Sequence, residues 1–424
     1  MCGSDSLDRN RQDRQSNRTK PRKETLKNII MSGNPNTTNS SSNSLLSFLK
    51  TWWPYIVALL PVMIFRDFSP RNELRYLTIV DEALSSGSFW TFTFEGEPYA
   101  DKPPLYFWLI MLQRWLFGSH VPAVICLFSL VPALGILGIM ERWTRSCFQT
   151  VADSRCVQLI LATLGLQLGM AVFARMDMLM SLFIIWALWL YWRSGQEERP
   201  HRWGFGILLF LALFSKGPFG ILIPLLVTLV WALVSNTWRL WLKMWSWRTW
   251  LAIIVGCTVW FGNVYLEGGA DYLSNMLFHQ TVDRAVNAFH HQRPWWFYLV
   301  HLWYTALPWG PLCIVGIGSW LWQFFKTKGH NKRCTSLFAA TDLHAFFCLS
   351  FLTTLVMLSC VSGKLDVYLL PAYPMLAYGG MLQVLQWKKF TTSWRNGLVR
   401  ACQVLLLIIF VAGLLLPFYQ QYIS

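Results

Sequence analysis

Apolar runs long enough to cross a lipid bilayer recur along almost the whole of this 424-residue chain. A helix needs roughly 20 apolar residues to traverse the hydrocarbon, and runs near that length stand at about 45–65, 119–140, 157–174, 178–193, 203–215, 218–234, 249–266, 295–323, 343–361, 368–387 and 401–417. Lipid offers a backbone amide no hydrogen-bond partner, so such segments become helices. The expected fold is an all-α integral membrane bundle of about eleven spans. Only 13% of the residues are charged, against about a quarter in soluble domains. Trp52, Trp53, Trp143, Trp238, Trp250, Trp295 and Trp394 stand near the ends of runs, where the amphipathic indole favours the membrane interface.

The net charge of +15 does not mark a nucleic-acid binder, because the basic residues are scattered over short loops and a polar tail. They report topology instead. The apolar stretch 104–118 is short, and the chain alternates consistently if it lies along the surface as an interfacial helix rather than crossing. One side then collects 26 of the 36 Lys and Arg residues and is cytoplasmic by the positive-inside rule. The other side holds Arg66, Arg71, Arg75, Lys102, Arg175, Lys216, Arg284, Arg293 and Lys364, with 12 of the 21 acids. The N-terminus is expected inside and the C-terminus outside.

Residues 1–44 read as a disordered cytoplasmic tail, basic at first and then rich in Ser and Asn, with too little apolar surface to fold. Met31 is an alternative start, and no signal peptide precedes residue 45. Residues 45–424 form the membrane domain. None of the ten Cys residues falls in an outside loop, so no disulfide framework is expected in an oxidising compartment.

A charge at the rim of an apolar bundle is costly unless it is paired or used. Five outside segments concentrate such charges. The first loop carries Glu73, Arg75 and Tyr76 at the head of an interfacial helix, then Asp101-Lys102-Pro103-Pro104. The turn ARMDM carries Asp177, and FSKGPFG carries Lys216. The long late loop HQTVDRAVNAFHHQRPWW contains Arg284, His290 and His291, and SGKLDVYLLPAYP presents Lys364 and Tyr368.

In this order and on this side, the segments NELRY, DKPPL, RMDM, SKGPFG, DRAVNAFHHQRPWW and KLDVYLLPAYP resemble the motifs of the protein O-mannosyltransferases and the lipid A aminoarabinose transferases. The likeness covers about residues 45–390. It implies a GT-C-type fold, a cavity at the outer membrane surface and a polyprenyl-phosphate sugar as donor. Arg75, Lys102, Arg284, Lys364 and Tyr368 match positions that hold the donor phosphate. Glu73, Asp101 and Asp177 match acidic active-site positions, with Tyr76, Lys216, His290 and His291 as supporting groups. The family's first acidic motif is usually Asp-Glu, whereas Asn72-Glu73 stands here.

The chemistry fits these residue types. Cations offset the charge growing on a departing phosphate, and a carboxylate can prepare the attacking group. No nucleotide-binding glycine motif is present. A divalent metal stays open, since carboxylates with His290 or His291 could ligate one, but their spacing selects none. The expected activity is transfer of a sugar from the polyprenyl-phosphate donor to a lipid or glycan acceptor, such as lipid A, at the outer face of a bacterial plasma membrane. Protein Ser or Thr is the alternative acceptor. A transporter would place charge at mid-membrane and show repeated halves, and neither feature is evident.

Overall fold

A computed structural model of the chain describes residues 40–197, 200–277, 293–328 and 338–423. The tail expected over residues 1–44 lies almost wholly outside them, as do Arg284, His290 and His291. Two units meet between Pro54 and Tyr55, within the first helix α1 (Ser40–Phe65). The second, from Tyr55 onward, holds every described residue singled out in the motifs.

Among its described residues this second unit consists of helices joined by short turns, with one two-stranded ribbon. After a π-helical turn at Pro70–Leu74 come α2 (Arg75–Ser86), the strands β1 (Thr93–Phe94) and β2 (Glu97–Pro98), α3 (Leu105–Phe117) and α4 (Pro122–Thr144). Next are α5 (Val151–Ala162), α6 (Gly165–Met170), α7 (Asp177–Gln196), α8 (Arg202–Lys216), α9 (Phe219–Ser235), α10 (Trp238–Met244) and α11 (Trp247–Ser274). The remainder comprises α12 (Phe297–Thr305), α13 (Gly310–Lys328), α14 (Leu343–Cys360), a 3-10 turn at Asp366–Ala372, α15 (Tyr373–Val384) and α16 (Thr392–Ile423).

Six stretches among the described residues are long and apolar enough to cross a membrane: Leu46–Phe65, Pro122–Thr144, Asp177–Gln196, Trp238–Leu277, Leu343–Cys360 and Thr392–Gln421. The outer faces of α11 and α16 leave Ile254, Val259, Leu407 and Ile408 more than half exposed. A surface so continuously apolar belongs in lipid, and the chain is an integral membrane protein.

Three expected runs are interrupted, each for an identifiable reason. The run 157–174 breaks after Ala162, where Leu164 is extended and the Gly165 amide donates to the Leu307 carbonyl at 2.7 Å. The run 295–323 breaks between α12 and α13 around Pro308, which lacks an amide to continue the ladder. The run 368–387 begins as a 3-10 turn because Pro371 and Pro374 stand there. The short interrupted helices pack closely. A Cβ on Gly316 of α13 would collide with the Gly380 carbonyl of α15, so these two backbones touch at glycine.

The first outside loop folds as a small layer of its own. α2 ends at Gly87, whose φ of 74° favours glycine. α2 buries Tyr76, Leu77, Ile79 and Val80 against Tyr106, Phe107 and Ile110 of α3. α3 has 13 residues, about 20 Å of helix, which is shorter than the roughly 30 Å hydrocarbon core. The ribbon pairs Thr93 with Pro98 and Phe94 with Glu97, turning through Glu95 and Gly96, both at positive φ. Glu82 of α2 holds that turn by accepting from the Glu95 amide at 2.7 Å.

Candidate active site

The described members of the expected set stand just past α1 and α14, at the end of α8, and at or just before the starts of α2, α3 and α7, in four local arrangements.

Glu73 is fully buried. The Arg66 guanidinium, just past α1, donates to both of its oxygens at 2.5 and 2.7 Å. The Ser69 and Ala174 amides complete the shell at 2.8 and 2.6 Å. Arg66 in turn donates to the Val172 carbonyl at 2.8 Å and lies over the Phe173 ring. The pair therefore staples the start of the first outside loop to the turn before α7.

Asp177 opens α7 and is 1% exposed. One carboxylate oxygen accepts from the Lys216 ammonium at the end of α8. The other accepts from Arg175 Nε at 3.1 Å. Lys216 also sits over the Tyr368 ring, 4.4 Å from its centroid, and Phe219 flanks that ring. A carboxylate in the first turn of a helix also meets the positive end of its dipole.

Asp101 and Lys102 form an ion pair at 3.3 Å, about a fifth exposed, and the Tyr99 hydroxyl donates to the same Asp101 oxygen at 3.2 Å. The Arg75 guanidinium stacks near the Tyr99 and Tyr76 rings, and its buried Nε has no hydrogen-bond partner among the described residues. Tyr76 is a core residue between α2 and α3, within electrostatic reach of Arg75, Asp101, Arg175 and Asp177. Lys102 comes within the same reach of Lys216, and Arg175 of Tyr368. Arg75, Lys102, Arg175 and Lys216 thus share one locality, in which the described carboxylates that pair with them are Asp101 and Asp177. Among these described residues the cations outnumber the carboxylates they pair with.

Lys364 is buried, and its ammonium donates to the Val361 and Arg293 carbonyls, the latter at 3.2 Å. It is therefore pinned to backbone four residues before Tyr368. Among the described residues, no group of three or more His, Cys, Asp or Glu could hold a metal ion.

Some positioning groups carried no motif. Glu267 of α11 accepts from the amides of Phe89, Trp90 and Thr91 at 2.8–3.2 Å and from the Thr91 hydroxyl at 2.7 Å. Tyr272 accepts from the Phe92 amide at 3.0 Å and donates to the Tyr99 carbonyl at 2.8 Å. α11 therefore clamps both flanks of the ribbon that leads into Asp101-Lys102. A lone Glu near the end of an apolar run gives no sign of such a partner, 178 residues away.

Residues 101–262 match the family described as dolichyl-phosphate-mannose-protein mannosyltransferase. An undecaprenyl phosphate-alpha-4-amino-4-deoxy-L-arabinose arabinosyl transferase of Pseudomonas aeruginosa is 27% identical over 361 residues, covering 82% of this chain and 62% of the relative. The enzyme numbered 2 of that name from Sodalis glossinidius is 25% identical over 329 residues, covering 75% and 56%. The chain thus spans less than two thirds of the length of these relatives. The crystal structure of ArnT from Cupriavidus metallidurans bound to undecaprenyl phosphate superposes with a TM-score of 0.68 at 20% identity, over 86% of this chain and 64% of that one. Its apo form gives 0.66. The likeness read from the six motifs is borne out, and the fold is that of ArnT.

Proposed function

From a chain with the fold of ArnT and a segment matching the mannosyltransferase family, we propose a membrane glycosyltransferase that moves a sugar from a polyprenyl-phosphate donor to a lipid or glycan acceptor such as lipid A. The names of the relatives point to an amino-pentose as the sugar. The observation that carries this reading is the surplus of buried and half-buried cations at one end of an apolar bundle. There a long isoprenoid tail can stay in lipid while its phosphate meets the charges. We place this end at the outer face of a bacterial plasma membrane, with about eleven crossings, the N-terminus inside and the C-terminus outside. Residues 45–424 form the transmembrane domain behind the tail.

In the reaction the acceptor oxygen bonds to the anomeric carbon while the bond from that carbon to the phosphate oxygen breaks. The electron pair stays on the phosphate. Arg75, Lys102, Lys364 and Tyr368, with Arg284, receive that charge. Cations fixed before the reaction need little reorganisation as the charge appears. Asp177 holds Lys216 and Arg175, Asp101 holds Lys102, and Glu73 holds Arg66 and the loop. With both oxygens bonded, Glu73 and Asp177 serve the reaction as anchors. Tyr76 seats Arg75. His290, His291 and Arg284 belong to one sequence segment, and we assign the two histidines a supporting role there.

Lys102 tests the phosphate role. Two prolines follow it, and Asp101 orients it. Lys102→Ala lowers turnover about 100-fold or more, as expected for loss of one pre-organised charge. Among the described residues Arg114 pairs with the exposed Asp81, and Arg114→Ala costs less than about threefold, as surface pairs do. Rates for both variants on purified protein decide the matter, and equal effects would reduce Lys102 to a surface anchor.

Orientation is tested by labelling in a cysteine-free background. A cysteine at the exposed Ser85 reacts with an impermeant thiol reagent added outside, and one at the exposed Arg239 does not. The reverse pattern would put every proposed site residue in the wrong compartment.

A further inference from the structure

Resting on that reading, we infer that Glu267 and Tyr272 of α11 are positioning residues for the donor phosphate. They act through the ribbon and Tyr99, which set where Asp101 holds the Lys102 ammonium. Neither side chain has to touch the donor to do so.

Glu267 works on the first flank of the ribbon. Its Oε1 accepts from the amides of Trp90 and Thr91 and from the Thr91 hydroxyl, and its Oε2 accepts from the Phe89 amide. Three successive amides turned on to one carboxylate fix the course of this backbone. Bonds to a charged acceptor are also the strong ones, about twice a neutral bond. The close approach requires glycine next door. A Cβ on Gly268 would lie 2.5 Å from Thr91 Cγ2, well inside the roughly 3.5–4.0 Å at which carbons pack.

Tyr272 works on the second flank. The helical path of α11 is interrupted at Gly269, where φ is 77°, a value that favours glycine, and Tyr272 follows in the last turn. Phe92 and Tyr99 form the next pair beyond Thr93 and Pro98, and the Tyr99 amide donates to the Phe92 carbonyl at 2.7 Å. Residues paired in this way in an antiparallel ladder exchange two bonds. The Tyr272 hydroxyl is inserted where the second would run. It accepts from the Phe92 amide at 3.0 Å and donates to the Tyr99 carbonyl at 2.8 Å. A side chain of α11 is thus built into the ladder two residues before Asp101.

Tyr99 carries the constraint onward. Its hydroxyl donates to Asp101 Oδ2 at 3.2 Å, and the same oxygen pairs with the Lys102 ammonium at 3.3 Å. The Arg75 guanidinium lies 5.7 Å from the centre of the Tyr99 ring, so one tyrosine touches two groups assigned to the phosphate. Ala100, the residue between Tyr99 and Asp101, is buried in a cluster with Trp260 and Val264 of α11. Contacts from α11 at Phe89–Thr91, at Tyr99 and at Ala100 therefore converge on the chain that enters Asp101-Lys102. A lysine is a point charge on a flexible stem, and it is held in a productive place only when the groups around it are themselves held.

The test measures binding of undecaprenyl phosphate to the purified full chain in detergent, within double-mutant cycles. Tyr272→Phe removes only the bridging hydroxyl and weakens binding about tenfold, the size of one hydrogen bond whose partners are left unpaired. Glu267→Gln keeps the side-chain volume, loses the charge, and weakens binding by about tenfold or more. Lys102→Ala weakens binding by itself. Adding either α11 variant to it costs less than about twofold more, because residues that act through one another are not additive. A merely structural role would not show that dependence on Lys102. Losses that multiply in the Lys102→Ala background would mean that α11 supports the fold rather than the phosphate group, and would overturn the inference. So would binding by both single variants within about twofold of wild type, the scatter usual for uninvolved groups. Unchanged binding by Lys102→Ala would instead sink the phosphate role of Lys102 on which the inference rests.

Discussion

Asp177→Asn abolishes measurable transfer. The carboxylate is buried and is the counter-charge to two cations, Lys216 and Arg175. Removing one partner of a buried ion pair costs about 3–5 kcal/mol. Expressed in an activation barrier, that is roughly two to four powers of ten in rate. The asparagine keeps the shape but leaves Lys216 free to move off the Tyr368 ring. The check is transfer from a radiolabelled donor, beside a melting curve of the detergent-solubilised protein. Retention of more than a tenth of wild-type activity would mean that Lys216 is positioned by something other than Asp177.

Glu73→Gln has its largest effect on stability. A glutamine amide would present donors to Arg66 and to the Ser69 and Ala174 amides, which are themselves donors. The buried Arg66 would lose its counter-charge, again a cost of about 3–5 kcal/mol. The variant melts several degrees lower and loses transfer as the first outside loop loosens. Asn72→Asp, which restores the family's usual acidic pair beside the intact Arg66–Glu73 contact, changes little. A Glu73→Gln protein with an unchanged melting curve and no transfer would contradict the anchoring role and return Glu73 to the role of a reacting carboxylate.

The two outcomes show how differently fold and site were legible. Membrane insertion was readable from the apolar windows of about 20 residues, because hydrocarbon tests each segment by its own length and polarity. The break in the run 157–174 was not readable in this way. Its cause is a carbonyl at Leu307, far along the chain, that accepts from Gly165. The interruption before α15 did have a local sign, in Pro371 and Pro374, that apolarity alone had masked.

For the site, the sequence supplied the charged motifs, their order and their common side, since each cation or carboxylate at a run end is locally conspicuous. Pairing was another matter. Glu73 meets the Ala174 amide across 101 residues, Asp177 meets Lys216 across 39, and His301 meets Asp366 across 65. A single carboxylate reads the same in a sequence whether it is a free base or is held by a guanidinium. Only the packing of α7 against α8, and of α12 against the turn before α15, determines which of these it is, because ion pairs act over a few ångströms of space and carry no periodicity along the chain.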